Sequence, residues 1–375
     1  MSDSLSILQV SGKSDLRKFL QFPFELYKDS PYYISEPLIS LENKFSKKNP
    51  FLRDNNVNLF MAVRGNKTVG RIAFIENKQH NQLYNDNACF FGFYDVNSDQ
   101  NVSDLLLDTV KDKAKDLKYS KIIGPTNFTT NDTCGILILG FDKNPVMLMP
   151  YNEPYYQEHL ESYGFVKSMD LYSFLMQKEL LQAFLERPLI ERVKRRLEKS
   201  NISFRTIKYK GTDDLRVLQK LYNESNRGNW GFLPLSDDEF EFMANDLRIM
   251  IPEDYIVFAM RNNVPVGFAV AIPNYNEVFK RIRDGKMFPF GIVKYLWFKR
   301  KIKGVRVLIL GVTPVHKKTG IDLLLYQQIS KQVNKRNVVQ GEACYVMEGN
   351  TPMYSILSRS GGEIVNTYRI YSLDL

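Results

Sequence analysis

The stretch "GVTPVHKKTGIDLLL", residues 311–325, places two lysines and a glycine between a short apolar run and a long helical pattern. Backbone N–H groups at the start of a helix have no intrahelical acceptor, and the helix dipole favours an anion there. A glycine lets that anion approach the main chain closely. Lys317, Lys318 and Gly320 therefore predict a phosphate-binding loop. The alternative is an ordinary strand-to-helix turn with exposed lysines.

The composition limits the class of protein. A chain of 375 residues predicts two domains, and contents of 44% hydrophobic and 13% aromatic residues argue against disorder. We find no apolar stretch long enough to span a membrane and no signal sequence, so we expect a cytoplasmic protein. Three cysteines and three histidines lack metal-ligand spacing and argue against a metal site: Cys89, Cys134, Cys344, His80, His159 and His316.

The net charge of +9 favours an anionic partner without identifying it. Ten of the basic residues lie in an insert at residues 279–306, among Phe288, Phe290, Tyr295, Trp297 and Phe298. Basic and aromatic residues together can bind RNA, a membrane surface or an acidic carrier protein. They can also form a solvated helix, because long basic side chains often cover apolar surface.

The chain repeats itself at a nearly constant spacing. Residues 58–77 match residues 255–274 at an offset of 197, through Ala62 with Ala259, Arg64 with Arg261 and Gly70 with Gly267. Residues 151–165 match residues 349–363 at an offset of 198, through Asn152 with Asn350, Pro154 with Pro352 and Gly164 with Gly362. The first pair predicts two hairpins, and the second predicts two helices that each start at Asn-x-Pro and stop at glycine.

The repeats predict an α/β fold of two related domains, each a central mixed sheet flanked by helices. Residues 1–177 form the first domain and residues 201–375 the second, and a helical linker at 178–200 joins them, with a bend expected at Pro188. In both halves the expected order is a strand, helices, the hairpin, a strand, a long helix, a strand, the Asn-x-Pro helix and a closing strand.

This order, together with the loop at residues 311–325, resembles the GNAT superfamily of acyl-CoA N-acyltransferases. In that family a loop of the form Arg/Gln-x-x-Gly-x-Gly/Ala opens a long helix and wraps the coenzyme A pyrophosphate. Lys317, Gly320 and Asp322 occupy the matching positions, with Asp322 where a small residue is usual. The segments "GNWGFLPL", "VGFAVAIPNYNE" and "YNEPYY" also resemble a group of long bacterial tandem-GNAT proteins, and this likeness covers most of the chain.

The resemblance implies an acyl-CoA site in the second half. The residues implied are Val312, Lys317, Lys318, Thr319, Gly320, Ile321, Asp322 and Asn350. The corresponding junction of the first half, residues 95–107, has no basic residue or glycine and carries Asp95, Asp99 and Asp104. Because carboxylates repel a diphosphate, we expect the first half to bind no coenzyme A and to shape the acceptor pocket instead.

The acid and base of the reaction are less evident. Many GNAT enzymes carry a tyrosine four residues before the helix-ending glycine, and here Leu357 stands at that position. Tyr354, one turn earlier, is the candidate to protonate the leaving thiolate, and solvent is the alternative. The candidates for a base that deprotonates the amine are Glu342, Glu348 and His316.

Two loops could line the pocket for the acceptor. "NRGNWGFLPL" carries Trp230 and Phe232, which would suit an apolar or flat substrate or form a plug between the halves. "GPTNFTTNDTCG", with Asn127, is dense in hydroxyl and amide groups, and Tyr155 follows it. Polar side chains of this kind would suit a cleft, although exposed loops are often polar.

The resemblance thus implies an N-acyltransferase that transfers an acyl group from acetyl-CoA or another acyl-CoA to a small-molecule amine or an amino-acid-like acceptor. One alternative keeps the fold and takes the acyl group from aminoacyl-tRNA or an acyl carrier protein. Another is a non-catalytic binding protein, which Asp322 and the absent tyrosine would fit.

Overall fold

The structure is a computed structural model that describes residues 4–375, except for the side chains of residues 246 and 247. The first part of the chain forms β1 (Leu5–Gln9), α1 (Gly12–Leu26), α2 (Leu38–Lys44), α3 (Pro50–Asp54), β2 (Val57–Arg64), β3 (Lys67–Ile75), α4 (Lys78–Tyr84), β4 (Ala88–Val96), α5 (Gln100–Asp116), β5 (Lys121–Gly124), β6 (Ile136–Leu139), α6 (Tyr155–Tyr163) and β7 (Val166–Gln177).

The second part forms α7 (Lys178–Leu185), α8 (Pro188–Lys199), β8 (Ile202–Thr206), α9 (Asp214–Ser225), α10 (Asp237–Met250), β9 (Ile256–Arg261), β10 (Val264–Pro273), α11 (Asn276–Phe279), α12 (Phe290–Phe298), β11 (Gly304–Val312), α13 (Ile321–Asn334), β12 (Gln340–Met347), α14 (Thr351–Arg359) and β13 (Glu363–Asp374). The predicted order of elements in both halves is confirmed.

The chain divides into two compact units. Unit 1 holds the residues up to Asp170, Asn276–Arg300 and Asn366–Leu375, and unit 2 holds Leu171–Tyr275 and Lys301–Val365. These units differ from the predicted division into residues 1–177, 178–200 and 201–375. Long-range strand pairing is the reason, because each half gives its closing strand to the other unit: β7 pairs with β12, and β13 pairs with β5.

Unit 1 is built on a mixed sheet in the order β1-β2-β3-β4-β5-β13, with β6 also on β13. Only β4 and β5 run parallel. Helix α5 packs its apolar side on this sheet because Val102, Leu106 and Val110 recur at helical spacing and are buried. Each such side chain contributes about 1.5–3 kcal/mol when it leaves water.

Unit 2 repeats this design in the order β7-β12-β11-β10-β9-β8, with β11 and β12 parallel. Helix α13 packs against β9, β10 and β11, and its Tyr326 joins a core with Phe174 of β7 and Leu357 of α14. The β9–β10 hairpin turns at Asn262 and Asn263, which both have a positive φ. Asparagine tolerates this backbone, which a two-residue turn of this hand requires.

In the repeat of residues 151–165 and 349–363, the two matching asparagines, Asn152 and Asn350, have different hydrogen-bond partners. Asn350 caps α14 because its side-chain oxygen accepts from the Met353 N–H. Asn152 instead accepts from the Leu137 N–H at 2.6 Å and donates to the Leu137 carbonyl at 3.1 Å, so it fastens β6 rather than α6.

The linker is two helices, α7 and α8, that break before Pro188. The residue before a proline disfavours the helical region, and Arg187 accordingly has an extended backbone. In the described part of the chain, no helix has the length and apolar character that crossing a membrane requires.

Candidate functional site

In unit 2 the parallel strands β11 and β12 separate part-way along their length. Their pairing covers only Gly304–Val307 against Gln340–Ala343, although β11 continues to Val312 and β12 to Met347. On its other edge β11 stays paired with β10, and Leu308 is an extra residue in that register. A bulge of this kind increases the local twist and bends the strand. A wedge therefore opens between the carboxyl ends of β11 and β12.

The main chain of Val312 faces this wedge. The N–H of Thr313 donates to the carbonyl of Val266 at 2.9 Å, toward β10. In an antiparallel pair, successive residues direct their hydrogen-bonding groups to opposite edges of the strand. The N–H of Val312 therefore points away from β10, to the open edge of β11.

Beyond the wedge, α13 begins at a helix start without a side-chain cap. Gly320 is the N-cap and has a φ of 91°. Leu324 donates to the Gly320 carbonyl at 3.3 Å, so the amides of residues 321–323 precede the hydrogen-bond ladder of the helix. Lys317 and Lys318 are exposed beside them. This arrangement of amides and cations fits an anion such as a phosphate.

The linker helix α8 braces this loop, a role that the sequence analysis missed. Arg196 donates from Nη2 to the carbonyl of Thr319 at 2.6 Å. A Cβ placed on Gly320 would lie 2.7 Å from Cγ1 of Val193, so only glycine fits without a shift. Arg196 thus adds a third cation to the loop. In the sequence, the only sign of this role of α8 was the basic composition of the end of the linker.

The loop fits a diphosphate group except at Asp322. Thr319 closes the turn by donating from Oγ1 to the His316 carbonyl at 2.7 Å, and Ile321 is buried beneath it. Asp322 lies in the first turn of α13 and is partly exposed. Its carboxylate repels an anion there, whereas Lys317, Lys318 and Arg196 attract one.

Helix α14 lies next to β7 and carries Tyr354. The Tyr354 side chain is 40% exposed, and its ring packs edge-on against Phe174 at 5.3 Å. Asn350 caps the same helix, so its oxygen is engaged by the Met353 N–H. Leu357, at the position where the family carries a tyrosine, is buried in the core.

The three candidate bases have different surroundings. Glu342 lies on β12 and accepts from Ser173 Oγ at 2.6 Å. His316 lies before the loop, with Nδ1 at 2.9 Å from Thr313 Oγ1 and Nε2 at 3.2 Å from Arg261 Nη1. Glu348 follows β12 in the turn toward α14 and is partly exposed. Glu342 thus lies in the part of β12 that pairs with β11, and Glu348 lies just beyond the carboxyl end of β12.

The loop after α9 borders the end of β11 in unit 2. A Cβ on Gly311 would collide with Ser225 Oγ, the last residue of α9, so the helix end lies directly on the strand. In the loop that follows, Phe232 is buried and packs against Tyr222 at 5.5 Å, whereas Trp230 is partly exposed. Phe232 is therefore a packing residue in this conformation, and Trp230 is the one accessible to a ligand.

In unit 1 the equivalent helix start is already occupied. Asp99 caps α5 by accepting from the Asn101 N–H, and it pairs with Arg64 at 2.6 Å. The N–H of Val96, the last residue of β4, donates to the hydroxyl of Tyr156 at 2.8 Å. These contacts use the groups that would otherwise bind a phosphate or an acyl carbonyl.

Unit 1 instead has a partly open cavity of about 160 Å³, lined by both polar and apolar side chains. Two ion pairs border it, Arg71 with Asp95 at 2.7 Å and Lys44 with Glu36 at 2.9 Å. Asn127 lines it, accepting from the Phe93 N–H at 2.7 Å. Tyr155 is not among the lining residues described, and its hydroxyl donates to the carbonyl of Val96.

A carboxylate beside this cavity has a displaced pKa. Burial raises the pKa of Asp132 to about 6, and Lys44 opposes that rise. Thr129 Oγ1 donates to Asp132 at 3.3 Å. Near neutral pH this group can therefore exchange a proton more readily than an exposed carboxyl.

Asn127 and Tyr155 thus lie in unit 1, and Trp230 and Phe232 lie in unit 2. Their contribution to an acceptor pocket stays a prediction. The described residues contain no group of three or more His, Cys, Asp and Glu side chains that could hold a metal ion.

Comparisons with known proteins place the chain among relatives of similar length. It is 31% identical over 369 residues to Protein YghO of Escherichia coli strain K12, across 96% of this chain and 93% of the relative. It is 28% identical to the bacterial ceramide synthase of Caulobacter vibrioides, across 98% and 97% of the two chains. No model of a known protein family matches the chain.

Solved structures share the fold. A tandem GNAT protein from the clavulanic acid biosynthesis pathway superposes with a TM-score of 0.59 at 9% identity, over 99% of this chain and 98% of that one. A GCN5-related N-acetyltransferase from Sphaerobacter thermophilus has a TM-score of 0.54 at 10% identity, over 98% and 95%. The resemblance to the GNAT fold is thereby confirmed. The chain is a tandem GNAT-fold protein and belongs to the same family as Protein YghO.

Proposed function

We propose that the protein is an acyl-CoA-dependent N-acyltransferase whose acyl-CoA site lies in unit 2. The observation that carries the proposal is the open wedge between β11 and β12, which leads to the uncapped start of α13 with Gly320, Lys317 and Lys318. A solved tandem GNAT protein shares the fold over 99% of this chain. Unit 1, whose equivalent groups are occupied by Asp99 and Tyr156, binds no acyl-CoA in this proposal.

Each residue of the site then has a chemical task. Acyl-CoA supplies the activated acyl group as a thioester. The amides at the start of α13, with Lys317 and Lys318, bind the diphosphate. The N–H of Val312 stabilises the negative charge that develops on the carbonyl oxygen when the amine attacks. Glu342 or Glu348 accepts the proton of the amine, and Tyr354 or water gives a proton to the departing thiolate.

The name of the Caulobacter relative suggests an acceptor class. A ceramide is the amide of a fatty acid with a long-chain amino alcohol, so a ceramide synthase makes the kind of amide bond proposed here. We extend this kind of amide-bond formation to the present chain and propose a long-chain amine as acceptor and a fatty acyl-CoA as donor. We propose that both are used in the cytoplasm.

Binding and turnover test the proposal separately. We expect acetyl-CoA and longer acyl-CoAs to raise the melting temperature. At a ligand concentration about a hundredfold above Kd, the free energy of unfolding should rise by about 3 kcal/mol. We expect release of free thiol from a fatty acyl-CoA when a long-chain amino alcohol is added. Binding without turnover across a panel of amines would favour a non-catalytic protein.

The alternative donors give different results. Retention of aminoacyl-tRNA that weakens steeply with salt, without any response to coenzyme A, would support the tRNA-dependent alternative. Transfer from an acylated carrier protein but not from acyl-CoA would support the carrier-dependent one. Either outcome would overturn the acyl-CoA proposal while leaving the fold unchanged.

A further inference from the structure

Helix α12 of unit 1 exposes an apolar face that the proposed reaction does not use. Five large apolar side chains of this segment are more than half exposed: Phe288 at 69%, Phe290 at 76%, Val293 at 62%, Leu296 at 52% and Trp297 at 67%. Phe290, Val293 and Trp297 recur at intervals of three and four residues, so they share one side of the helix. Single exposed apolar residues are ordinary, but a contiguous group indicates an interaction site.

Other side chains of α12 are held by unit 1. Tyr295 stacks on Phe279 of α11 at 6.4 Å, and the Arg281 guanidinium lies 4.2 Å from the ring centroid of Phe298. Lys294 donates to the Arg281 carbonyl at 2.9 Å. The apolar face is therefore presented on a fixed helix.

Positive charge surrounds this face. Residues 280–300 contain seven lysines and arginines and a single acidic residue, Asp284. All seven basic residues are exposed: Lys280, Arg281, Arg283, Lys286, Lys294, Lys299 and Arg300. The combination of an apolar stripe, an exposed tryptophan and a basic surround matches helices that lie in the interface of an anionic bilayer.

We propose that the surface formed by residues 280–300, the α12 surface, docks the protein on an anionic lipid bilayer. Phe290, Val293 and Trp297 enter the boundary between headgroups and acyl chains, and the surrounding cations contact lipid phosphates. At nine residues, α12 is far too short to span a bilayer, so the helix lies in the plane of the interface.

Other occupants fit the chemistry less well. Single-stranded RNA stacks its bases on aromatic rings, whereas Val293 and Leu296 offer no ring to a base. A second copy of the chain would bring seven exposed cations against seven others, which repel. An acidic protein would also match the positive charge. The vesicle experiment below contains no second protein, so binding in it can come only from lipid.

The experiment uses the full chain and vesicles of defined lipid. We expect co-sedimentation with vesicles of phosphatidylcholine plus phosphatidylglycerol and little with phosphatidylcholine alone. The double variant Val293→Ser/Trp297→Ser and the double variant Lys299→Glu/Arg300→Glu should each lower the partition coefficient about tenfold or more. Ile249→Ser, which removes an 80% exposed side chain elsewhere, and Lys210→Glu on the surface of unit 2 should leave the coefficient unchanged.

Tryptophan fluorescence provides a second reading. The chain has two tryptophans, so Trp230→Phe leaves Trp297 as the only reporter, and its emission should shift to the blue on anionic vesicles. No binding, or equal binding by the α12 variants and the native chain, would overturn the proposal. So would concentration-dependent dimerisation that Val293→Ser/Trp297→Ser abolishes without vesicles, or RNA binding that the same variant abolishes while vesicle binding persists.

Discussion

The hydroxyl of Tyr156 accepts a hydrogen bond from the N–H of Val96 at 2.8 Å, at the end of β4. Val312 holds the same last position on β11, and Tyr354 lies 198 residues after Tyr156 in the repeat. In unit 1 the tyrosine is buried and fills the strand end, whereas in unit 2 its counterpart is 40% exposed. The repeat thus shows a tyrosine at this helix position reaching the terminal strand amide.

This relationship leads to a prediction for Tyr354. If Tyr354 gives the proton to the thiolate, Tyr354→Phe should lower single-turnover acyl transfer about a hundredfold or more, the range for loss of a general acid. Coenzyme A affinity should hardly change, because the phenylalanine ring keeps the contact with Phe174. An unchanged rate would assign the proton to solvent.

Gly320→Ala should weaken coenzyme A binding, as measured by calorimetric titration. The added Cβ meets Val193 Cγ1 at 2.7 Å and displaces the loop from α8. Gly211→Ala is the matched control, since Gly211 also has a positive φ, of 73°, and no atom within 4 Å of the new Cβ. Both changes should cost about 1–2 kcal/mol of stability, but only Gly320→Ala should change affinity.

The further variant Gly320→Ala/Val193→Ala should recover part of the lost affinity, because it removes the colliding methyl group. If Gly320→Ala binds coenzyme A as well as Gly211→Ala does, the site is not at this loop.

Arg196→Met should reduce coenzyme A affinity about tenfold, the equivalent of about 1.4 kcal/mol. The change removes the 2.6 Å hydrogen bond to Thr319 and one cation from the loop. Arg195→Met removes the same charge from the neighbouring position, where the side chain is 71% exposed, and should have little effect. Equal losses in both variants would mean that only the overall charge matters.

Asp132→Asn should stabilise the protein at neutral pH. The folded pKa of about 6 lies above the ordinary value of 3.8 for an aspartate, so the folded state disfavours the ionised form. The cost of ionisation is therefore present above pH 6 and disappears as the pH falls toward 4. The difference in melting temperature between the variant and the native chain should shrink over that range. A difference independent of pH would contradict the assignment.

A fragment of residues 201–375 should aggregate on expression. It lacks β7, which pairs along β12 from Leu171 to Gln177 and supplies Phe174 and Met176 to the core of unit 2. An unpaired strand edge and an open core favour association. A fragment of residues 166–375 keeps this strand and should remain in solution to a greater extent, as sedimentation would show. Equal behaviour of the two would refute the pairing argument.

The sequence by itself determined the local elements and their repetition. Asn-x-Pro starts, glycine stops and alternating apolar runs depend on neighbours within a few residues, so the hairpins and the helices α5, α13 and α14 could be predicted. The loop at Lys317, Lys318 and Gly320 was predictable for the same reason, because its glycine and its place before a helix are local features.

Only the tertiary structure decided which strands complete each sheet and what surrounds the loop. Pairing of β7 with β12 and of β13 with β5 joins residues far apart in the chain, and a periodic pattern records which face of a strand is buried but not which strand is its neighbour. The same holds for Arg196 at Thr319 and for Tyr156 at Val96, because each contact depends on how a helix is placed on a sheet. Local sequence patterns carry no record of that placement.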